Sequence, residues 1–156
     1  MTSLRPLLPM LLTVVMALSY GCAHDAPHDN SPAPGEIAVK QALTMKGKPY
    51  RYGGSTPRGF DCSGLVQYSY AHAGVRLPHG TNALRQQSRS ISKRELQLGD
   101  LLFFNQEGKK SSHVALYLGN DSFIHAPSTS KNVHISQFSN PYWRTHFSEA
   151  RRVDVD

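Results

Sequence analysis

At Gly99-Asp100 the apolar period of the chain changes, and that change limits the folds open to it. Before it, Ile37, Val39, Ala42 and Leu43 form one stripe of a helix predicted over Glu36 to Met45. Leu65, Val66, Tyr70 and Ala73 form the inner side of a second, predicted to begin at Cys62, run to Ala73 and end at Gly74. Thr81 to Ser90 is expected to be a third, polar helix. Beyond Asp100, the segments Leu101 to Asn105, His113 to Leu118, Ser122 to Ala126, Val133 to Ser136 and Ala150 to Val155 read as strands. Helices first and an antiparallel sheet afterwards predict an α+β domain.

Ahead of that domain lies an apolar run, Leu7 to Leu18, behind a single side-chain cation, Arg5. It is shorter than the ~20 residues of a spanning helix and contains Pro9, so residues 1–21 are expected to be a signal peptide. Cys22 ends the segment Leu18-Ser19-Tyr20-Gly21-Cys22, which resembles a bacterial lipobox. Gly21 is the small residue wanted before the cut, and Ser19 stands where an aliphatic residue is usual. The resemblance implies a lipidated Cys22, with Ala23 favouring the outer membrane and the chain facing the periplasm. Residues 22–35 are expected to be that lipidated N-terminus and a flexible tether, since Ala23 to Gly35 hold three prolines and no large aliphatic residue. His24 and His28 read as linker rather than metal ligands. Residues 36–156 are left for one domain.

Composition narrows the function. Two cysteines cannot staple a disulfide scaffold, and no later stretch is long and apolar enough to span a bilayer. The formal net charge of +6 suits an exported protein meeting anionic polymer or lipid, but the cations are scattered, so no nucleic-acid partner is expected. With Cys22 lipidated, Cys62 has no partner, which marks it as a functional thiol or an intermolecular bridge.

A cysteine nucleophile needs a thiolate, a base within hydrogen-bond reach and a group that orients the base. Cys62 at a helix start offers the first, because the amide end of a helix favours an anion; Asp61 or Ser63 is placed to cap it. Gly64 is expected to keep the face beside the sulfur thin enough for a substrate backbone. For the base, His113 opens the alternating strand His113-Val114-Ala115-Leu116-Tyr117-Leu118, and His125 ends the next. A three-residue turn, Gly119-Asn120-Asp121, would set His125 opposite Ala115, diagonal to His113 on the same face; a two-residue turn would separate the rings. An inert core thiol or a zinc site on Cys62 and two histidines are the competing readings, though no second close ligand supports a metal. His72, His79, His134 and His146 read as surface or satisfied groups, Tyr52 as a packing aromatic, Gly53-Gly54 as a turn, and Lys109-Lys110 and Arg151-Arg152 as solvated surface.

Four segments in order, Asp61-Cys62-Ser63-Gly64-Leu65-Val66, Gly99-Asp100-Leu101-Leu102-Phe103-Phe104, His113-Val114-Ala115-Leu116-Tyr117-Leu118-Gly119 and His125-Ala126, resemble the NlpC/P60 cysteine peptidases of bacterial cell walls. The likeness covers about Ile37 to Val153. It implies a papain-like fold, N-terminal helices on a central antiparallel sheet, and a murein endopeptidase that hydrolyses an amide in peptidoglycan stem peptides. The bond is D-isoglutamyl–diaminopimelate or the diaminopimelate cross-link. Position by position it implies Cys62 as nucleophile, His113 as base, His125 as the member that orients it, Tyr50 as oxyanion support, and Asp61 and Ser63 as a grip on a free stem-peptide amine. It implies no cofactor and no metal. The alternatives are a papain-like amidase or acyltransferase on another substrate, and a non-catalytic wall-binding lipoprotein.

Overall fold

A computed structural model describes residues 31–155. The predicted signal peptide, Cys22, His24 and His28 lie outside the described residues. Helix α1 spans Pro34–Thr44, so Pro34 and Gly35, assigned to the tether by composition, form its first turn. Proline suits that position because its fixed φ is already helical and the missing N–H has no partner there. Two short strands, β1 (Ser55–Thr56) and β2 (Gly59–Phe60), form a small hairpin before α2 (Cys62–His72).

Helix α2 is bounded as its sequence requires. Asp61, in extended conformation, accepts the Gly64 N–H at 2.7 Å as N-cap, and Gly74 follows the C-cap at φ +78°. Leu65, Val66 and Tyr70 are buried on the sheet side, and the Tyr70 hydroxyl donates to the Gly99 carbonyl at 2.9 Å, tying α2 to the lead-in of the sheet. A Cβ on Gly64 would be driven into the Gly54 carbonyl oxygen, which already accepts from the Asp61 N–H. The missing side chain at Gly64 therefore admits the chain's own β1 lead-in, not a substrate backbone.

The expected third helix is cut short. Helix α3 covers only Thr81–Gln86, and Ser88–Ile91 is strand β3, paired antiparallel with Ala150–Val153 of β8 (Phe147–Val153). That pairing joins residues 59 to 65 positions apart, and the local polar pattern carries no trace of it. The other strands are β4 (Leu101–Gln106), β5 (Lys109–Gly119), β6 (Ser122–His125) and β7 (His134–Gln137), in sheet order β3-β8-β4-β5-β6-β7. Each neighbouring pair of strands in this sheet is antiparallel, in keeping with the α+β reading.

Both faces of the sheet are covered. Leu101, Phe103, Val114, Leu116 and Ile124 pack with α1 and α2, and Leu102, Phe104, Ala115, Phe123 and Ala150 form a second cluster on the other face. The second cluster is closed by Trp143 on a helix the sequence reading omitted, α4 (Pro141–His146), together with Phe138 and Phe147. Its signal was present: Asn140 caps the Tyr142 N–H at 2.9 Å and Pro141 starts the first turn.

Candidate active site

The histidine geometry depends on the β5–β6 hairpin, which reaches the expected parity by a different route. The turn is two residues, Asn120 and Asp121, at φ +45° and +64°, the positive pair that a tight hairpin turn requires. By itself that would put the histidines on opposite faces. A bulge between Tyr117 and Gly119 restores the count: Tyr117 pairs with Phe123 and Gly119 with Ser122, leaving Leu118 unpaired. Carried one step past Leu116↔Ile124, the register sets His125 opposite Ala115. His113 Nε2 and His125 Nδ1 are 2.8 Å apart, with both rings buried.

On its other nitrogen His125 meets Ser136, Nε2 to Oγ at 3.0 Å. Trp143 covers the pair, stacked on His113 at 5.7 Å and edge-on to His125 at 4.8 Å. His134 packs against His125 at 4.6 Å, its Nδ1 held by Ser130 and the Asn132 carbonyl. Ser136 and Trp143 were not marked by sequence; only the fold brings them to the histidines.

Cys62 is half-buried at the first turn of α2 and lines a cleft of about 410 Å³ with His113, Tyr50 and Tyr52. Its sulfur is approached by the N–H groups of Val114, Ser63 and Cys62 itself. The Val114 N–H is free for this because β6 ends at His125. Burial nevertheless dominates: it pushes the Cys62 thiol up to about 11, partly offset by the Val114 N–H and reinforced by the Asp61 charge. The expected pull of the helix start toward a thiolate is outweighed. Burial also brings His113 down to about 4, with the charge of His134 adding to it, and depresses His125 further, the charges of His113 and His134 adding there. All three shifts favour a neutral thiol beside neutral imidazoles.

That state has one hydrogen arrangement suited to proton uptake. If His113 is to receive a proton at Nδ1, its Nε2–H must donate to His125 Nδ1, and His125 Nε2–H to Ser136 Oγ. Folding with these rings neutral also has a pH signature. Between pH 7 and 5 the unfolded chain binds protons on histidines that the folded chain leaves bare, so stability falls with acid before most carboxylates titrate. His113 alone, moved from about 6.5 to about 4, accounts for about 3 kcal/mol by pH 4. Thermal unfolding is expected to shift to lower temperature from pH 7 to pH 5; an unchanged midpoint would contradict buried neutral rings.

Asp61 is engaged on every side. Its carboxylate accepts from the N–H groups of Gly53 (3.0 Å) and Gly64 (2.7 Å) and from Ser63 Oγ (3.0 Å), and it meets His79 Nε2 at 2.9 Å. His79, read as a surface or satisfied group, is satisfied here and ties the α2–α3 loop to the nucleophile's helix. Tyr50 is half-buried, and burial, then the nearby Cys62, raise its phenol. Tyr52 is 91% exposed on the cleft rim rather than a packing aromatic. No cluster of three or more metal-ligating side chains occurs among the described residues.

Residues 47–152 match the NlpC/P60 family. Murein DD-endopeptidase MepH of Escherichia coli (strain K12) is 42% identical over 76% of this chain and 45% of its own length. Probable endopeptidase NlpC of the same organism is 40% identical over 92% of this chain and 97% of its own. Among solved structures, a lipoprotein-like NLP/P60 protein from Staphylococcus aureus subsp. aureus Mu50 superposes with a TM-score of 0.72 at 36% identity, over 82% of this chain and 45% of that one. The chain thus spans about half the length of some of the relatives it matches.

Proposed function

The chain belongs to the NlpC/P60 family, and from that premise we propose that it is a peptidoglycan endopeptidase in which Cys62, His113 and His125 form the catalytic unit. The observation that carries this reading is the 2.8 Å contact between His113 and His125, behind a cleft that His113 shares with the only free thiol among the described residues.

The neutral resting pair sets the order of events. As the Cys62 sulfur attacks the stem-peptide carbonyl, its proton passes to His113 Nδ1, and the new imidazolium is held by His125 Nδ1. The oxyanion faces the first-turn N–H groups of Cys62 and Ser63, with the Tyr50 hydroxyl across the cleft. His113 then gives the proton to the leaving amine as the C–N bond breaks, leaving a thioester on Cys62. Water attacks the thioester as His113 takes its proton; the C–S bond then breaks, the proton passes from His113 to the Cys62 sulfur, and the acid product leaves the regenerated thiol. A histidine acceptor stabilises the imidazolium less than an aspartate would, and Ser136 and Trp143 keep that weaker partner aligned and dry. The amine grip on Asp61 and Ser63 is part of the proposal; Asp61 performs it only with whatever acceptor capacity its four internal partners leave.

Export and anchoring complete the reading. The run Leu7 to Leu18 and the segment ending at Cys22 support cleavage and lipidation there, and with Ala23 they support an outer-membrane site beside the substrate. The test is digestion of purified sacculi by the full chain, with fragments read by mass spectrometry. New stem-peptide termini are expected; sacculi left intact would contradict the endopeptidase reading.

A further inference from the structure

The cleft wall facing Cys62 is the tip of the β4–β5 hairpin, and its geometry is irregular in a directed way. Phe104 pairs with His113 and Gln106 with Lys109, so Lys110, Ser111 and Ser112 stand opposite the single residue Asn105. In a regular strand Lys109 and Lys110 would point to opposite faces. Here both line the cleft that holds Cys62 and His113.

The irregularity is held in place. Ser111 lies at φ +49°, a left-handed backbone that a serine adopts only at a cost, and it is wholly buried. Its N–H donates to Asn105 Oδ1 at 2.8 Å, and its hydroxyl meets Ser148 Oγ at 2.9 Å and Glu149 Oε1 at 3.3 Å. Ser112 Oγ braces the neck, accepting from the Gln106 N–H and lying 3.0 Å from the Gln106 carbonyl. Bulges of this kind recur beside active sites, where they re-aim side chains. The tip also carries Glu107, whose charge reaches Tyr50, so lysines outnumber carboxylates on this wall. Neither Lys109 nor Lys110 has an ion-pair partner among the described residues, whereas Arg151 and Arg152, read with them as solvated surface, are half-buried and paired with Glu149 and Asp100.

Two exposed, unpaired lysines on the wall of the cleft that holds the nucleophile, against the single carboxylate Glu107, suit an anionic group on the substrate next to the reacting amide. We propose that Lys109 and Lys110 bind a carboxylate of the stem peptide, so that the cleft selects stems whose carboxyl groups are free over those in which they are amidated. This rests on the endopeptidase reading and adds a specificity to it. Lysine fits the task as a compact, mobile point charge.

The test compares kcat/KM of the full chain on soluble muropeptides that are unamidated, amidated at D-isoglutamate, or amidated at diaminopimelate. At least one amidation is expected to slow the unaltered chain. The double variant Lys109→Ala/Lys110→Ala is expected to lose about 5- to 20-fold on the unamidated substrate, mainly through KM, and to lose the discrimination; two exposed ion pairs are of this size. Lys109→Arg/Lys110→Arg is expected to keep it. Indifference of the unaltered chain to both amidations, or discrimination that survives the double alanine variant, would overturn the proposal. An equal loss on all three substrates would also overturn it, since that marks general attraction to an anionic polymer. Cleavage of none of them by the unaltered chain would overturn the endopeptidase reading itself, and the proposal with it.

Discussion

Cys62→Ala is expected to abolish muropeptide cleavage, with kcat falling by about 10⁶-fold, the size seen when the nucleophile of a catalytic unit is removed. The fold should survive. Cys62 is half-buried at the start of α2, and the contacts that build that helix belong to Asp61, Gly64 and Tyr70. Unfolding midpoints of the variant and the unaltered chain should therefore agree within a few degrees. Cys62→Ser is the stricter comparison. It keeps the shape and offers a hydroxyl to the same imidazole, but an alkoxide is far harder to form than a thiolate, so strong loss is expected here too. Full activity in the serine variant would remove Cys62 from the mechanism.

His113→Ala is expected to cost about 10²- to 10⁴-fold in kcat, the range attributed to a positioned general acid–base group. The loss should fall on kcat rather than KM, because His113 acts on the proton and not on ground-state binding. Combined with Cys62→Ala it should add nothing, since the two residues act as one unit. His125→Ala should leave more activity than His113→Ala: the base remains, but its ring loses the partner at 2.8 Å and the orientation that comes with it. Equal losses for the two histidines would mean that His125 does more than orient.

Much of this arrangement is legible along the chain, and what is not has identifiable physical causes. Asp61 and Gly74 announce α2 because capping and a left-handed terminus are local requirements. The strand at His113 is legible from its Val114, Leu116 and Leu118 positions, but alternation signals one buried face, and the fold buries the His113 and Ala115 side as well. The shared face of His113 and His125 follows from the sequence only by parity, and the true hairpin combines a shorter turn with a bulge at Leu118 that compensates for it. Strand β3 escapes because its partner, β8, is distant in sequence, and local periodicity cannot report such a pairing. His79, Ser136 and Trp143 reach the site through tertiary contacts alone. The thiol's ionisation inverts for a related reason: the helix start is local and visible, whereas burial, which outweighs it, belongs to the fold. Lys109 and Lys110 look like solvated surface until the bulge at Ser111 turns both toward the cleft.

The most direct measurement is the mass of the enzyme itself, caught by acid quench during turnover of a soluble muropeptide dimer. Expected is an adduct equal to the acyl portion of the cleaved stem, confined to the peptide containing Cys62, released by hydroxylamine, and absent in Cys62→Ala. Product formation without any such adduct, together with undiminished product in Cys62→Ala, would contradict a thioester on Cys62.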